Sequence, residues 1–249
     1  MINRSAVHVG GKLPAKHDLR TIQARSVISV QDVMVPNRQD WHLHGPEHWG
    51  MMANDRVGCC TVAGMGHLLQ QWTVNASGMI LTPSDEAILE GYAAISDYPD
   101  RDVGAYCLDA LNWARRVGLL CPDGRRHPIL AYAKIDPHDH AMVRAAAVVC
   151  GGLYIGATLH SGIWGSEVWD APKPSERVEG GHAMAIGYVD GNILRPIGWD
   201  VPQAVTWAWW DAEVDECYCL ISDDAFAEGR SVIGLDLDAT LQQVQRITE

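Results

Sequence analysis

Phenylalanine is nearly missing from this chain of 249 residues: there is one, against ten tryptophans. Basic residues are also scarce, 19 Lys and Arg against 31 Asp and Glu, for a formal net charge of −12. That balance argues against a nucleic-acid footprint. No run of eighteen apolar residues occurs, so no segment is expected to span a membrane. No apolar run follows Met1-Ile2-Asn3-Arg4-Ser5, and no signal peptide is expected. The seven cysteines contain no C-x-x-C pair, so neither a structural zinc nor any other cofactor is expected. Seven is odd, so at least one thiol is free unless it pairs between chains. Without a signal peptide, reduced thiols are the default. Internal repeats and low-complexity runs are absent. With 47% hydrophobic residues, the chain can fill one large core or one domain of two lobes.

What is present centres on Asn54-Asp55-Arg56-Val57-Gly58-Cys59-Cys60-Thr61-Val62-Ala63-Gly64. Polar residues and glycine run into a cysteine. Val62, Met65, Leu68, Leu69 and Trp72 then recur at helical steps, predicting a helix over about 60–75. Cys60 falls in its first turn, where unpaired N–H groups and the helix dipole favour a thiolate. Two readings stand side by side: an activated nucleophile, or a buried cysteine at a helix start.

Residues 1–53 carry little regular pattern beyond an extended segment at Leu13–Arg20. His42 and His44 share a face if their segment is extended, but no Cys or carboxylate has matching spacing, so they read as surface histidines. Helices are predicted after Pro83 and over about 105–117, then a strand at Ile129–Ile135 and a helix from Pro137 to Val149. His138 and His140 lie two apart and read as surface residues off any common helix face. Strands follow at Leu153–Leu159, Gly180–Tyr188, Ile193–Trp199, Ala204–Trp210 and Glu216–Ser222, with a turn at Asp190-Gly191-Asn192.

In this order the elements resemble the papain-type cysteine peptidases over about 13–226. Leu13-Pro14 with Asp18-Leu19-Arg20 resembles the start of a mature enzyme. Cys60 falls at the nucleophile, and Asn54, six residues earlier, where the family carries its oxyanion-hole Gln. Gly180-Gly181-His182-Ala183 resembles the turn that presents the catalytic base. Ile197-Gly198-Trp199-Asp200 stands where the family has Asn-Ser-Trp-Gly. The Asn-Asp-Arg-x-Gly-x-Cys-Thr block and Thr206-Trp207-Ala208-Trp209-Trp210 are similar to papain-like proteins of bacteria and bacteriophages.

The resemblance implies an α+β fold. A helical lobe, about 54–125, carries the Cys; an antiparallel sheet or barrel lobe, about 126–228 plus the N-terminal segment, carries the His. Residues 1–12 would form an arm. Residues 229–249 would form a tail with a short helix over 239–247. Arm and tail are candidates for docking on an assembly partner. The implied activity is hydrolysis of a peptide or amide by Cys60 and His182, with Asn54 at the oxyanion. The alternative is a structural or binding protein of a phage particle with a vestigial site; a cell-wall amidase is a third possibility. A cytoplasmic or virion-associated location is expected. Thr61 replaces the family's Trp, and Val57 its disulfide-forming Cys. Ile197 replaces the Asn that orients the histidine and cannot accept a hydrogen bond. Asp200 or a backbone carbonyl is left to do so, and Trp199 is a further candidate for orienting the ring.

Overall fold

The apolar residues after Cys60 form a helix, α1 (Cys60–Ser77), in the computed structural model, which describes residues 7, 10–227 and 230–231. Every residue from Cys60 to Val74 is buried, so α1 is enclosed on all sides. Gly78 ends it in the left-handed region, φ 73°, with its N–H on the Val74 carbonyl. Beside α1 lie α2 (Asp85–Ala93) and α3 (Cys107–Arg116). Ser84 caps α2, its Oγ accepting from the Ala87 N–H at 3.3 Å, and Asp85 and Glu86 complement the dipole in the first turn.

A short hairpin of β2 (Leu119–Leu120) and β3 (Arg126–His127) follows. Phe226–Ala227 and Arg230–Ser231 form a second two-stranded pair, and eight other strands build one sheet. Its members are β1 (Arg38–Asp40), β4 (Ala131–Ile135), β5 (Leu153–His160), β6 (Val168–Trp169), β7 (Val178–Asp190), β8 (Ile193–Ile197), β9 (Ala204–Thr206) and β10 (Val214–Ile221). The order is β4-β10-β5-β7-β8-β9-β6, and β1 also pairs with β7. Only β6 and β9 run parallel.

Alternation along the strands divides the core. Ala183, Ala185, Tyr154, Tyr218 and Leu220 join the α1 side; Met184, Ile186, Leu153, Ile155, Cys217 and Cys219 join the opposite side. The opposite side is covered by α4 (His140–Val149), capped by Asp139, and α5 (Trp207–Glu213). Gly64 lets α1 approach the sheet: a Cβ there would stand 3.2 Å from the Tyr154 ring and 3.5 Å from the Met184 nitrogen. That approach sets the start of α1 against β7.

Several expectations change. Ala204–Trp210 does not continue as a strand. Thr206 Oγ1 accepts from the Trp209 N–H at 3.0 Å and turns the chain into α5. Capping here overrides the strand preference of the tryptophans. The patternless stretch before residue 53 contributes β1, whose polar residues gave no alternation. Between the strands expected at Leu153–Leu159 and Gly180–Tyr188 lies a further short strand, β6, which the sequence reading did not include. His138 and His140 are at the surface as expected, though both face Asp211, at 3.7 and 2.6 Å, because His138 precedes α4. His42, expected at the surface, has both ring nitrogens shut from solvent. The helix expected over 239–247 lies outside the described residues. Thr206→Ala is expected to cost about 1 kcal/mol through loss of the cap, read as a lower urea midpoint with an unchanged slope.

Candidate active site

Cys60 is the first residue of α1, and its Sγ accepts from the Ala183 N–H at 3.4 Å. That contact joins the helical half of the core to β7 one residue after His182. The His182 ring stacks on Trp199, with centroids 4.2 Å apart and planes 24° from parallel. Its Nε2 lies 3.0 Å from the Gly198 carbonyl oxygen. The Asn54 Nδ2 donates to the same oxygen at 2.7 Å. Gly198 has to be glycine: a Cβ there would stand 2.9 Å from His182 Nε2. A carbonyl oxygen only accepts, so Nε2 carries the hydrogen and the lone pair of the neutral ring sits on Nδ1.

Cys60 and His182 are both 0% exposed. Burial pushes the Cys60 thiol up to about 12, while the Ala183 N–H, the Lys12 ammonium and the first N–H groups of α1 pull the other way.

A strap formed by residues 10–13 runs between the two halves of the site. Gly11 packs on Gly58, where a Cβ would overlap the Gly58 carbonyl. The Ala105 N–H donates to the Gly11 oxygen at 2.9 Å, and the Leu13 N–H to the Ala105 oxygen at 2.9 Å. On the other side the Lys12 N–H donates to the Gly181 oxygen at 3.2 Å. The strap is thus an extended peptide bonded along both edges, two residues from Cys60 at Gly58 and one from His182 at Gly181. Its Lys12 side chain is buried, with Nζ 2.8 Å from Asp215 Oδ2 and 3.4 Å from Glu216 Oε1. Burial acts to lower the Lys12 pKa; the Cys107 sulfur, the Asp215 hydrogen bond and the Glu216 carboxylate outweigh it and leave the pKa raised.

No family model and no curated protein matches the sequence. Solved structures do match the fold. Xylellain, a cysteine protease from Xylella fastidiosa, superposes with a TM-score of 0.69 at 15% identity, over 89% of this chain and 98% of its own. A procathepsin B from Trypanosoma congolense gives 0.64 at 10% identity, over 86% of each chain. Bromelain from Ananas comosus gives 0.55 at 10% identity, over 75% of this chain and 99% of its own. The fold is that of the papain-like cysteine proteases.

On this papain-like fold, three of the five residues singled out in the sequence gather at Gly198: Asn54 and His182 on its carbonyl, and Trp199 stacked on the His182 ring. Cys60 is joined to them through the N–H of Ala183, the residue after His182. Asp200 turns elsewhere. Its Oδ2 is 2.5 Å from His48 Nδ1 and its Oδ1 accepts from the Gly50 N–H at 2.9 Å. Ile197 is fully buried opposite Ala185 in β8. The contact to His182 Nε2 comes from the next residue's backbone. Sequence reasoning passed over Lys12 and Glu216, and it named a backbone carbonyl as a partner for His182 without saying which one. The pairs Gly10-Gly11 and Gly180-Gly181 were the available signal, since adjacent glycines permit backbone-to-backbone approach. Among the described residues, no group of three or more His, Cys, Asp or Glu could hold a metal ion. No helix among them is long and apolar enough to cross a membrane.

Proposed function

We propose that this protein is a cysteine hydrolase of peptide or amide bonds, acting through Cys60 and His182 and held shut by residues 10–13. The observation that carries the reading is the Gly198 carbonyl at His182 Nε2, which leaves Nδ1 as the basic nitrogen. The stacked Trp199 fixes the plane of the ring. Once the strap leaves, Cys60 is exposed at the start of α1, where N–H groups favour the thiolate. His182 Nδ1 takes the thiol proton. Cys60 Sγ attacks the carbonyl carbon, and the oxyanion takes hydrogen bonds from the Cys60 N–H and from the Asn54 hydrogen not committed to Gly198. His182 returns the proton to the leaving nitrogen, and water then hydrolyses the thioester. The Gly198 carbonyl acts where the family places an Asn side chain. It positions the imidazole and, carrying no net charge, stabilises the imidazolium less than an ion would.

The test is carboxamidomethylation by iodoacetamide at pH 6, read at each cysteine by mass spectrometry in a Gly11→Val protein whose strap is displaced. Cys60 is expected to react at least tenfold faster than the other six, and His182→Ala to remove that advantage. Equal labelling with and without His182 would sink the proposal. A second reading, a structural or binding protein that never uses the pair, is favoured by the complete burial of Cys60 and His182. It requires Cys60 to stay inert after the strap is displaced.

A further inference from the structure

We infer that the pocket filled by Lys12 is a binding site for a basic side chain, arginine or lysine, of a peptide lying across Cys60. As a statement about substrate choice this rests on Cys60 being the nucleophile; as a statement about binding it does not.

The pocket is built around an absent side chain. Gly156 lies beneath Lys12, and a Cβ there would overlap Lys12 Cε and stand 3.3 Å from Cys107 Sγ. Any residue larger than glycine would fill the passage. Gly156 pairs with Ala183, whose N–H contacts Cys60 Sγ at 3.4 Å. The entrance is therefore one strand from the candidate nucleophile. At its far end stand two carboxylates. Asp215 is partly open to solvent, while the Glu216 side chain is 1% exposed. Glu216 Oε2 accepts from the Tyr218 hydroxyl at 2.9 Å, and Oε1 faces the Lys12 ammonium.

Electrostatics then decides what the emptied pocket takes. With Lys12 in place, the buried carboxylate has a cation. With the strap lifted it has only the Tyr218 hydroxyl, and a buried charge without a counter-ion is strongly unfavourable. An apolar side chain would leave that imbalance in place, and an acidic one would worsen it. An ammonium on a four-carbon stem reproduces Lys12. A guanidinium presents a planar fork that can address both carboxylates. The strap also shows the backbone pose: the Ala105 N–H and carbonyl on one edge, and the Gly181 carbonyl on the other, are the groups an incoming extended peptide would take over.

Two experiments test this. In the first, Lys12→Ala is melted with n-butylammonium or with n-butanol. The ammonium is expected to raise the melting temperature of Lys12→Ala by several degrees. It should not do so in the wild type or in Lys12→Ala/Glu216→Gln, and n-butanol should have no such effect. Equal rises with both additives, or none, would overturn the pocket. In the second, the Gly11→Val protein, which also serves if Lys12→Ala does not fold, is treated with peptidyl epoxides. These carry Arg, Leu or Glu at either of the two residues next to the epoxide. Cys60 is expected to be labelled about tenfold faster by an Arg probe than by its Leu counterpart, and slowest by Glu. Labelling of Cys60 with equal rates for Arg and Leu would reject the basic pocket while leaving the nucleophile. Rescue by n-butylammonium with no labelling at Cys60 would retain the pocket and reject the nucleophile.

Discussion

Gly11→Val is expected to raise the rate at which iodoacetamide modifies Cys60 at neutral pH by about a thousand-fold. The figure follows from what holds the strap. Three backbone hydrogen bonds contribute about 0.5–1.5 kcal/mol each, and the charged Lys12 contact somewhat more, roughly 4 kcal/mol together. That corresponds to an open fraction of about one molecule in a thousand. Valine at position 11 cannot keep the strap in place, because its Cβ would overlap the Gly58 carbonyl. Gly58 is backbone at the entry to α1 and cannot move without carrying Cys60 with it. Opening also changes the thiol itself. Burial is the largest influence raising its pKa to about 12, and exposure removes that influence while the N–H groups of α1 remain. The control is Cys150, buried at the end of α4 on the opposite side of the sheet core, whose modification should be unchanged. An unchanged rate at Cys60 would mean that something other than residues 10–13 shuts the site.

The second large effect is on acid stability. His67 in α1 and His42 near its other flank are held neutral by burial, each lowered from 6.5 to about 4. His67 Nε2 lies 3.0 Å from the Gly50 oxygen, and both ring nitrogens of His42 are shut from solvent. The sign follows from which state binds protons. Below pH 6.5 the unfolded chain protonates these rings and the folded chain does not, so stability is full above 6.5 and is lost as the pH falls toward 4. Between pH 7 and pH 5 each ring should cost about 2 kcal/mol, roughly 4 kcal/mol for the pair. The measurement is the urea midpoint at the two pH values for wild type and for His67→Gln. About half of this loss should disappear in the variant. A pH dependence identical in the two proteins would place the acid sensitivity elsewhere.

Much of the helical half was legible because its elements announce themselves locally. Ser84 with Asp85 and Glu86 marks the start of α2, and the apolar spacing after Cys60 marks α1. The sheet was legible where strands are buried on both faces, as in β5 and β7. It was misread where a single hydroxyl settles the outcome: Thr206 ends β9 and begins α5 in a run of aromatic residues that read as strand. The side chains that gather at Gly198 carried a sequence signal, since Asn54, His182 and Trp199 sit at motif positions. The backbone contributors did not. The Gly198 carbonyl carries no side-chain signature, and β1 and the strap are polar or glycine-rich stretches whose partners lie more than 90 residues away. Lys12 closed the expected arm and gave no sign of a buried partner, because nothing near it in sequence reveals Glu216.

The strap has a further consequence for anyone measuring affinity on this protein. It is continuous with the domain it covers, so it behaves as a tethered ligand whose effective concentration at the cleft is on the order of millimolar. A diffusing peptide that makes the same three backbone contacts and offers the same cation must be present at comparable concentration merely to draw level. A dissociation constant obtained with the strap in place therefore reports a contest between two ligands. The intrinsic strength of the cleft emerges only when that internal competitor is cut away or displaced.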